Sequence, residues 1–211
     1  MKTLIADSPG KALAAIPSGS FVRVSDLPGS ATARSCAVSR ARKAGSLLPI
    51  RNGLYFKGVR TRYGMTRPSS EDIAIQVLGS TGVGPTGVSA ARALGLTTQV
   101  PARPSLTIAG TVPTSVPGVT VSKRNNMSRR NLRYAEIALV ELLRGDWERT
   151  VDDGWPALVS AAAAAARRGD IDIRAVGEAI RGERSPAARH NYTRLVSEAS
   201  VSGALARSTG A

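Results

Sequence analysis

Short apolar blocks, separated by turn-forming residues, divide the first sixty positions into several elements. Ser8 and Pro9 favour a helix start, because serine is a good N-cap and proline fits the first helical turn. The mostly apolar residues 21–24, Phe-Val-Arg-Val, predict a short strand. Ser25 and Asp26 are predicted to cap a brief second helix that contains Leu27.

A third helix and a hairpin complete this region. Residues 31–44 are rich in alanine and end at Gly45, a residue suited to the left-handed position that closes a helix. Strands are predicted over residues 47–50 and 54–57, and the Asn-Gly pair between them favours a type I′ turn. The order helix, strand, helix, helix, hairpin predicts a winged helix-turn-helix domain over residues 1–60.

Beyond this region the pattern changes to a mixture of helices and short strands. Residues 60–70 are polar and basic and predict a linker. A second domain over residues 69–211 is expected to have an α/β middle and a helical C-terminal end. Its predicted helices cover residues 71–78, 87–94, 132–143, 151–168, 171–180 and 186–199, and its predicted strands cover residues 106–109 and 119–121. The helix over residues 132–143 is predicted to be amphipathic, and residues 202–211 to be frayed. The whole chain is therefore predicted to be α+β and mostly helical.

Charge is unevenly distributed along the chain, whose formal net charge is +14. Residues 1–68 carry twelve basic and two acidic side chains, a net charge of +10. Residues 69–150 have a net charge of +3, and residues 151–211 of +1. A basic front half beside a nearly balanced rear half indicates that the front binds a polyanion and the rear does something else.

One face of the third helix has the residue types that read DNA. Small side chains share its inner face: Ala33, Ala37, Ala41 and Ala44, with Val38 at the edge. Hydroxyl and basic side chains fall on the opposite face, with Arg40 at its margin, and further basic residues occupy the hairpin. Arg34 falls nearer the inner face, but it lies in the first turn, where a long side chain can reach round to a phosphate. Arginine and lysine can donate to guanine and to phosphate, and serine to bases or phosphates. The candidate DNA-binding residues are Arg34, Ser35, Ser39, Arg40, Arg42 and Lys43 on the helix and Arg51, Asn52 and Lys57 on the hairpin. The competing interpretation is a solvated basic helix without a partner.

A second basic run precedes the helix predicted over residues 132–143. Its members are Lys123, Arg124, Arg129, Arg130 and Arg133. The run fits a second contact with DNA phosphates or a docking surface for an acidic partner such as a toxin. A solvated run without a function is equally compatible with the pattern.

The sequence lacks the residue clusters that metal sites need. Cys36 is the only cysteine and His190 the only histidine, which rules out an intrachain disulfide and a cysteine-based zinc site. Cys36 is predicted to be a small packed side chain, and a single cysteine fits a reducing cytoplasm. No apolar run is long enough to span a bilayer, so no membrane partner is expected.

Two further patterns are interpreted as structural. The glycine-rich residues 79–87 lack the Gly-Lys-Ser/Thr ending of a P-loop and are predicted to form a structural loop. The aspartates at 152–153, 170 and 172 precede predicted helices and favour their positive ends. The chain is therefore expected to have no enzymatic activity, cofactor or metal. The alternative, an enzyme or RNA-modifying accessory that uses these residues, lacks a recognisable base or nucleophile.

Two separate segments resemble a known family. Residues 48–55, Leu-Pro-Ile-Arg-Asn-Gly-Leu-Tyr, resemble the wing of AbiEi-type antitoxins, the transcriptional-regulator halves of abortive-infection toxin–antitoxin pairs. Residues 89–101, Ser-Ala-Ala-Arg-Ala-Leu-Gly-Leu-Thr-Thr-Gln-Val-Pro, resemble the family's Leu-Gly-Leu-Thr-Thr-Gln segment, which is the more specific of the two. Residues 121–143, basic and then helical with Glu136, are similar to its next block. The resemblance covers roughly residues 8–145.

The resemblance implies a winged helix that represses its own promoter at inverted repeats. It also implies a C-terminal domain that counteracts a cognate nucleotidyltransferase-like toxin in phage defence. By this carry-over the DNA-binding residues are Ser35, Ser39, Arg40, Arg42, Lys43 and Arg51. The expected partners are double-stranded promoter DNA and the toxin, in the cytoplasm. The alternative is a stand-alone winged-helix repressor whose rear domain dimerises or senses a ligand.

Overall fold

The computed structural model describes residues 8–112 and 116–201, and the end predicted to be frayed, residues 202–211, lies outside them. The chain divides into two units, Met1–Ile73 and Ala74–Ala211. Helices and small sheets are mixed, and helix is the more abundant, so the α+β class predicted from the sequence is confirmed. No helix within the described residues is long and apolar enough to cross a membrane.

The first helix in the described part of unit 1 is α1, Pro9–Ala15, and the Ser8 side chain caps it by accepting a hydrogen bond from the backbone N–H of Lys11. Strand β1, Ser20–Arg23, follows. The predicted second helix is wrong, because Val24–Asp26 makes only one 3-10 turn. Leu27 precedes a proline and is extended (φ −76°, ψ 144°), since a following proline disfavours the helical backbone. Leu27 is nevertheless buried in the core of unit 1.

Helix α2, Ala31–Lys43, and the hairpin after it agree with the sequence prediction in position. The Ser30 side chain caps the first turn of α2, and Gly45 ends it at φ +66°. Strands β2, Leu48–Arg51, and β3, Leu54–Lys57, form an antiparallel pair. Strand β3 also pairs with β1, so the sheet order is β1-β3-β2.

The turn between β2 and β3 is not type I′. That turn needs a positive φ at both central residues, but only Gly53 has one, at +74°. The register shifts between Pro49 and Arg51. This irregularity lets the strands connect while Asn52 keeps a negative φ, which carries no strain for a residue with a Cβ.

The predicted linker contains a short hairpin that its polar sequence did not indicate. Strands β4, Arg60–Thr61, and β5, Gly64–Met65, form a short antiparallel hairpin. The hairpin is stabilised by the Thr61 hydroxyl, which donates to the carbonyl of Gly64 at 2.8 Å. Helix α3, Ser70–Leu78, follows.

Unit 2 contains a three-stranded sheet in the order β6-β7-β8: Val83–Pro85, Ser105–Ala109 and Thr120–Arg124. Strand β6 is antiparallel to β7, and β7 is parallel to β8. The predicted glycine-rich loop is therefore wrong at its centre, where β6 lies. Gly84 is needed there because any Cβ would collide with Ile137.

The helices of unit 2 pack around one that is buried on every side. This central helix is α5, Tyr134–Glu141, which continues into a π-helical turn at Leu142–Asp146. Because Ile137, Ala138, Leu139 and Val140 are at most 1% exposed, the prediction of an amphipathic helix is wrong. The other helices are α4 Val88–Ala93, α6 Trp147–Thr150, α7 Gly154–Arg167, α8 Ile173–Arg181 and α9 Pro186–Val201.

Candidate nucleic-acid interface

Helix α2 has a buried side built from small residues. Ala37 and Val38 are buried, and Val38 packs with Leu13 of α1 and Leu47 in the core of unit 1. Val38, predicted at the edge of this side, is thus at its centre, whereas Ala44 is exposed. Small side chains allow the backbone of α2 to lie close to its neighbours and leave its other side projecting into solvent.

The projecting side of α2 carries five of the predicted residues: Ser35, Ser39, Arg40, Arg42 and Lys43 are all exposed. Ser35, Ser39 and Arg42 follow one another at spacings of four and three residues, so they form a row along the helix. No acidic side chain lies on α2. The row therefore presents hydroxyl and guanidinium donors with no local carboxylate to neutralise them.

The C-terminal end of this row contacts the hairpin. The guanidinium carbon of Arg42 lies 5.9 Å from the centre of the Tyr55 ring in β3. A cation over an aromatic ring gains about 0.5–1 kcal/mol at an exposed site. This contact orients Arg42 beside the hairpin, whose tip carries the exposed Arg51 and Asn52.

Two predicted DNA-binding residues are engaged by the fold instead. Lys57 donates from Nζ to the carbonyls of Leu13, Ala14 and Ile16 at 3.0, 2.9 and 2.6 Å, which uses all three of its donors. Arg34 donates from Nη1 to the carbonyl of Ser25 at 2.9 Å and is partly buried. Neither side chain extends freely into solvent toward a phosphate. No sequence signal distinguished them from the exposed cations.

Cys36 is exposed, which corrects the prediction of a packed side chain. Successive helical residues are separated by about 100°, so placing Ala37 and Val38 inward turns Cys36 outward. Arg40 donates from Nε to the Cys36 carbonyl at 3.3 Å.

The second basic run does not form one exposed patch. Arg129 is 1% exposed and pairs with Glu141 and with Glu183, the latter at 2.7 Å. Arg124 makes two bonds to the Glu141 carboxylate, at 2.9 and 2.6 Å. Arg133 pairs with the Glu136 carboxylate but its side chain stays 48% exposed, and Lys123 and Arg130 are exposed too. The prediction is therefore corrected for Arg129 and Arg124, whose charges are used by ion pairs inside the fold.

These pairs lower the pKa of the buried carboxylates. Burial raises the pKa of Glu141, but the hydrogen bond from Arg124 and the charges of Arg129 and Arg124 outweigh it and hold that pKa at about 2. The pKa of Glu183 is also lowered, because hydrogen bonds from Arg129 and Asn126 overcome the effect of its burial. Both groups are thus ionised in the folded chain at neutral pH.

We expect unit 2 to lose stability in acid. A pKa lowered by folding stabilises the native state above the unfolded pKa, near 4.3 for Glu, and this stability is lost as pH falls through the folded value. Glu141 alone accounts for about 3 kcal/mol between roughly pH 5 and pH 2. Urea unfolding followed by tryptophan fluorescence measures this, because both tryptophans, Trp147 and Trp155, lie in unit 2. A urea midpoint that is constant over this range would contradict the lowered pKa.

Two of the aspartates that were interpreted as structural, Asp152 and Asp172, accept hydrogen bonds within the fold. Asp172 caps α8 by accepting from the backbone N–H groups of Arg174 and Ala175. Asp152 instead accepts from the Thr97 hydroxyl and the Thr98 backbone N–H. Within residues 8–112 and 116–201, no three histidine, cysteine, aspartate or glutamate side chains are grouped to hold a metal ion.

Comparison with known proteins assigns no family. No protein-family model matches the chain, and no curated protein matches it. The crystal structure of the RV2827C protein from Mycobacterium tuberculosis is similar at 16% sequence identity and a TM-score of 0.49. That similarity covers 97% of this chain and 82% of the other. A likeness at this level carries no argument about function.

Proposed function

We propose that unit 1 is a winged helix-turn-helix that binds duplex DNA, with α2 in the major groove and the β2–β3 hairpin as the wing. The observation that carries this proposal is the acid-free row Ser35, Ser39 and Arg42, which projects from α2 beside the exposed hairpin tip. The chain order α1, β1, α2, β2, β3 and the three-stranded sheet support it. The middle helix of the motif is reduced to the Val24–Asp26 turn.

The chemistry of the row fits the edges of base pairs. The major groove is about 12 Å wide and admits one α-helix. Arg42 and Lys43 can donate to the O6 and N7 acceptors of guanine, and Ser35 and Ser39 to bases or phosphates. Arg51 at the hairpin tip supplies a positive charge for the backbone. The +10 net charge of residues 1–68 adds a long-range attraction to DNA.

We further propose that the protein is the antitoxin of a toxin–antitoxin pair and represses its own promoter. This part rests on the resemblance of residues 89–101. In that segment Leu96 is buried and Thr97 bonds to Asp152 at 2.9 Å, so these two side chains serve the fold. Val100 is 71% exposed and is available to a partner.

Unit 2 is the part that would counteract a nucleotidyltransferase-like toxin, without enzymatic activity of its own. A toxin-like reading frame beside the gene favours this proposal, and a metabolic operon favours the stand-alone repressor.

We expect DNA binding by the full chain to depend strongly on salt. If about four basic side chains of residues 1–68 neutralise phosphates, the affinity falls about 100-fold between 50 and 200 mM salt. Fluorescence anisotropy with a labelled duplex of the protein's own promoter region measures this, with an unrelated duplex as control. An affinity for both duplexes that is independent of salt would contradict the proposed interface.

A further inference from the structure

Unit 2 contains a polar cleft that the proposed function does not use. Its volume is about 420 Å³, within the roughly 300–1,000 Å³ typical of small-molecule sites. The end of β8, the loop after it, the π-helical turn and the connection between α8 and α9 enclose it. We call it the Arg144 cleft, after a side chain that the π-helical turn supplies.

Cations dominate the lining of the Arg144 cleft. The charged side chains are Lys123, Arg124, Arg144 and Arg184, with Glu183 as the only carboxylate among the lining residues. The net charge of the lining is thus +3. Behind it, the buried charges of Arg129 and Glu141 cancel.

The one carboxylate does not repel an anion as a free glutamate would. One oxygen of Glu183, Oε1, accepts from Asn126 and Arg129, each at 2.7 Å, and Oε2 accepts from Arg144 at 2.7 Å. Each oxygen is thereby directed at donors of the protein, and the group is 4% exposed. Glu183 serves to hold the floor of the cleft in place.

The cations on the floor are held rigidly, with some donor capacity left. Arg144 is held by Glu183 and remains 33% exposed, and Arg124 is held by Glu141 and remains 25% exposed. Asn126 also donates to the carbonyl of Ala179 at 2.7 Å. Gly182 permits this approach, since a Cβ there would lie 2.6 Å from the Asn126 Oδ1. Donors fixed before binding lose little entropy when a ligand arrives.

The rim of the cleft adds two exposed cations and a helix end. Lys123 and Arg184 are exposed, and no side chain of the described residues pairs with either. Ser185 lines the cleft and accepts from the backbone N–H of Ala188 in the first turn of α9. The N-terminus of this sixteen-residue helix, which is the positive end of its dipole, therefore borders the cleft.

We propose that the Arg144 cleft binds the phosphoryl groups of a small phosphorylated molecule. Fixed guanidinium donors on the floor and two flexible cations on the rim match an anion that has several charged oxygens. A ligand with only one carboxylate group would leave most of the +3 charge of the lining unbalanced. Because Arg124 and Arg144 on the floor are only 25% and 33% exposed, a compact anion reaches their free donors more readily than a DNA backbone does. This proposal does not depend on DNA binding by unit 1.

Titration calorimetry of the full chain with inorganic pyrophosphate tests the proposal. We expect one site with a Kd below about 1 mM at low salt. The variant Lys123→Gln/Arg184→Gln should weaken binding at least about tenfold, since it removes two charged hydrogen-bond donors from the cleft. The variant Arg149→Gln/Arg167→Gln removes the same charge from exposed positions of unit 2 outside the cleft and should change Kd less than about twofold.

Three outcomes would overturn the proposal. The first is the absence of saturable binding by pyrophosphate, and the second is equal weakening in the two double variants, which indicates a general charge effect. The third is displacement of pyrophosphate by duplex DNA together with loss of DNA affinity in Lys123→Gln/Arg184→Gln, which would make the cleft a DNA contact. Because Arg124 and Arg144 stay in place, both variants should keep the wild-type tryptophan fluorescence and thermal midpoint.

Discussion

Glu141→Gln should destabilise unit 2 by about 3–5 kcal/mol, the usual cost of removing one partner from a buried ion pair. Glu141 is fully buried and accepts from Arg124, Arg129 and the Thr86 hydroxyl. The amide keeps the shape of the side chain but leaves Arg129, which is 1% exposed, with only Glu183 to balance it. Urea unfolding at pH 7, followed by tryptophan fluorescence, measures the change in the free energy of unfolding.

The exposed pair Arg168–Asp170 offers a matched control. Its side chains are 63% and 51% exposed and lie 2.7 Å apart. Asp170→Asn makes the same carboxylate-to-amide change at the surface and should cost less than about 1 kcal/mol. Equal losses in Glu141→Gln and Asp170→Asn would mean that the buried pairs do not hold unit 2 together.

Arg42→Ala should weaken binding to the promoter duplex by about five- to 150-fold, the range of about 1–3 kcal/mol for an arginine contact with guanine. The loss should be smaller on an unrelated duplex, because Arg42 is proposed to contact bases. Arg51→Ala should weaken binding to both duplexes alike and reduce the salt slope by about one, as expected for a phosphate contact. Anisotropy titrations on the two duplexes measure both effects.

Arg67 provides the matching control in unit 1. It is exposed, lies outside α2 and the β2–β3 hairpin, and carries the same charge. Arg67→Ala should reduce affinity less than about threefold through the loss of long-range attraction alone. If Arg67→Ala and Arg42→Ala reduce affinity equally, or if Arg42→Ala has no effect, α2 is not the recognition helix.

The helices and strands of unit 1 were largely predictable because their limits are set locally. Ser8 and Ser30 cap helices, and Gly45 ends one, through contacts within a few residues. The exposure of Ser35, Ser39 and Arg42 followed from helical periodicity for the same reason, whereas that of Cys36 was not predicted. The role of Lys57 was not predictable, since its carbonyl partners lie about forty residues earlier in the chain. A basic residue in sequence gives no sign of whether its charge is used by the fold.

Unit 2 was less predictable because its buried charged residues form ion pairs with residues that are distant in the sequence. Glu136 and Glu141 made residues 132–143 look amphipathic, yet both are buried by pairing with arginines. Arg129 of the predicted surface patch is likewise buried, in an ion pair with Glu183, and Glu183 holds the floor of the Arg144 cleft in place. Short-range periodicity assigns charged positions to solvent, and only the tertiary structure brings opposite charges together inside.

The division of α2 into two sides has a consequence for how such a protein can diverge. Its packing depends on Ala37 and Val38, whereas the side chains of Ser35 and Ser39 make no contact that the core needs. Substitutions at exposed positions of this kind usually change stability by less than about 0.5 kcal/mol. If α2 reads DNA as proposed, its outward residues can therefore be exchanged one at a time over evolutionary time, and new target sequences can be acquired while the scaffold is inherited unchanged.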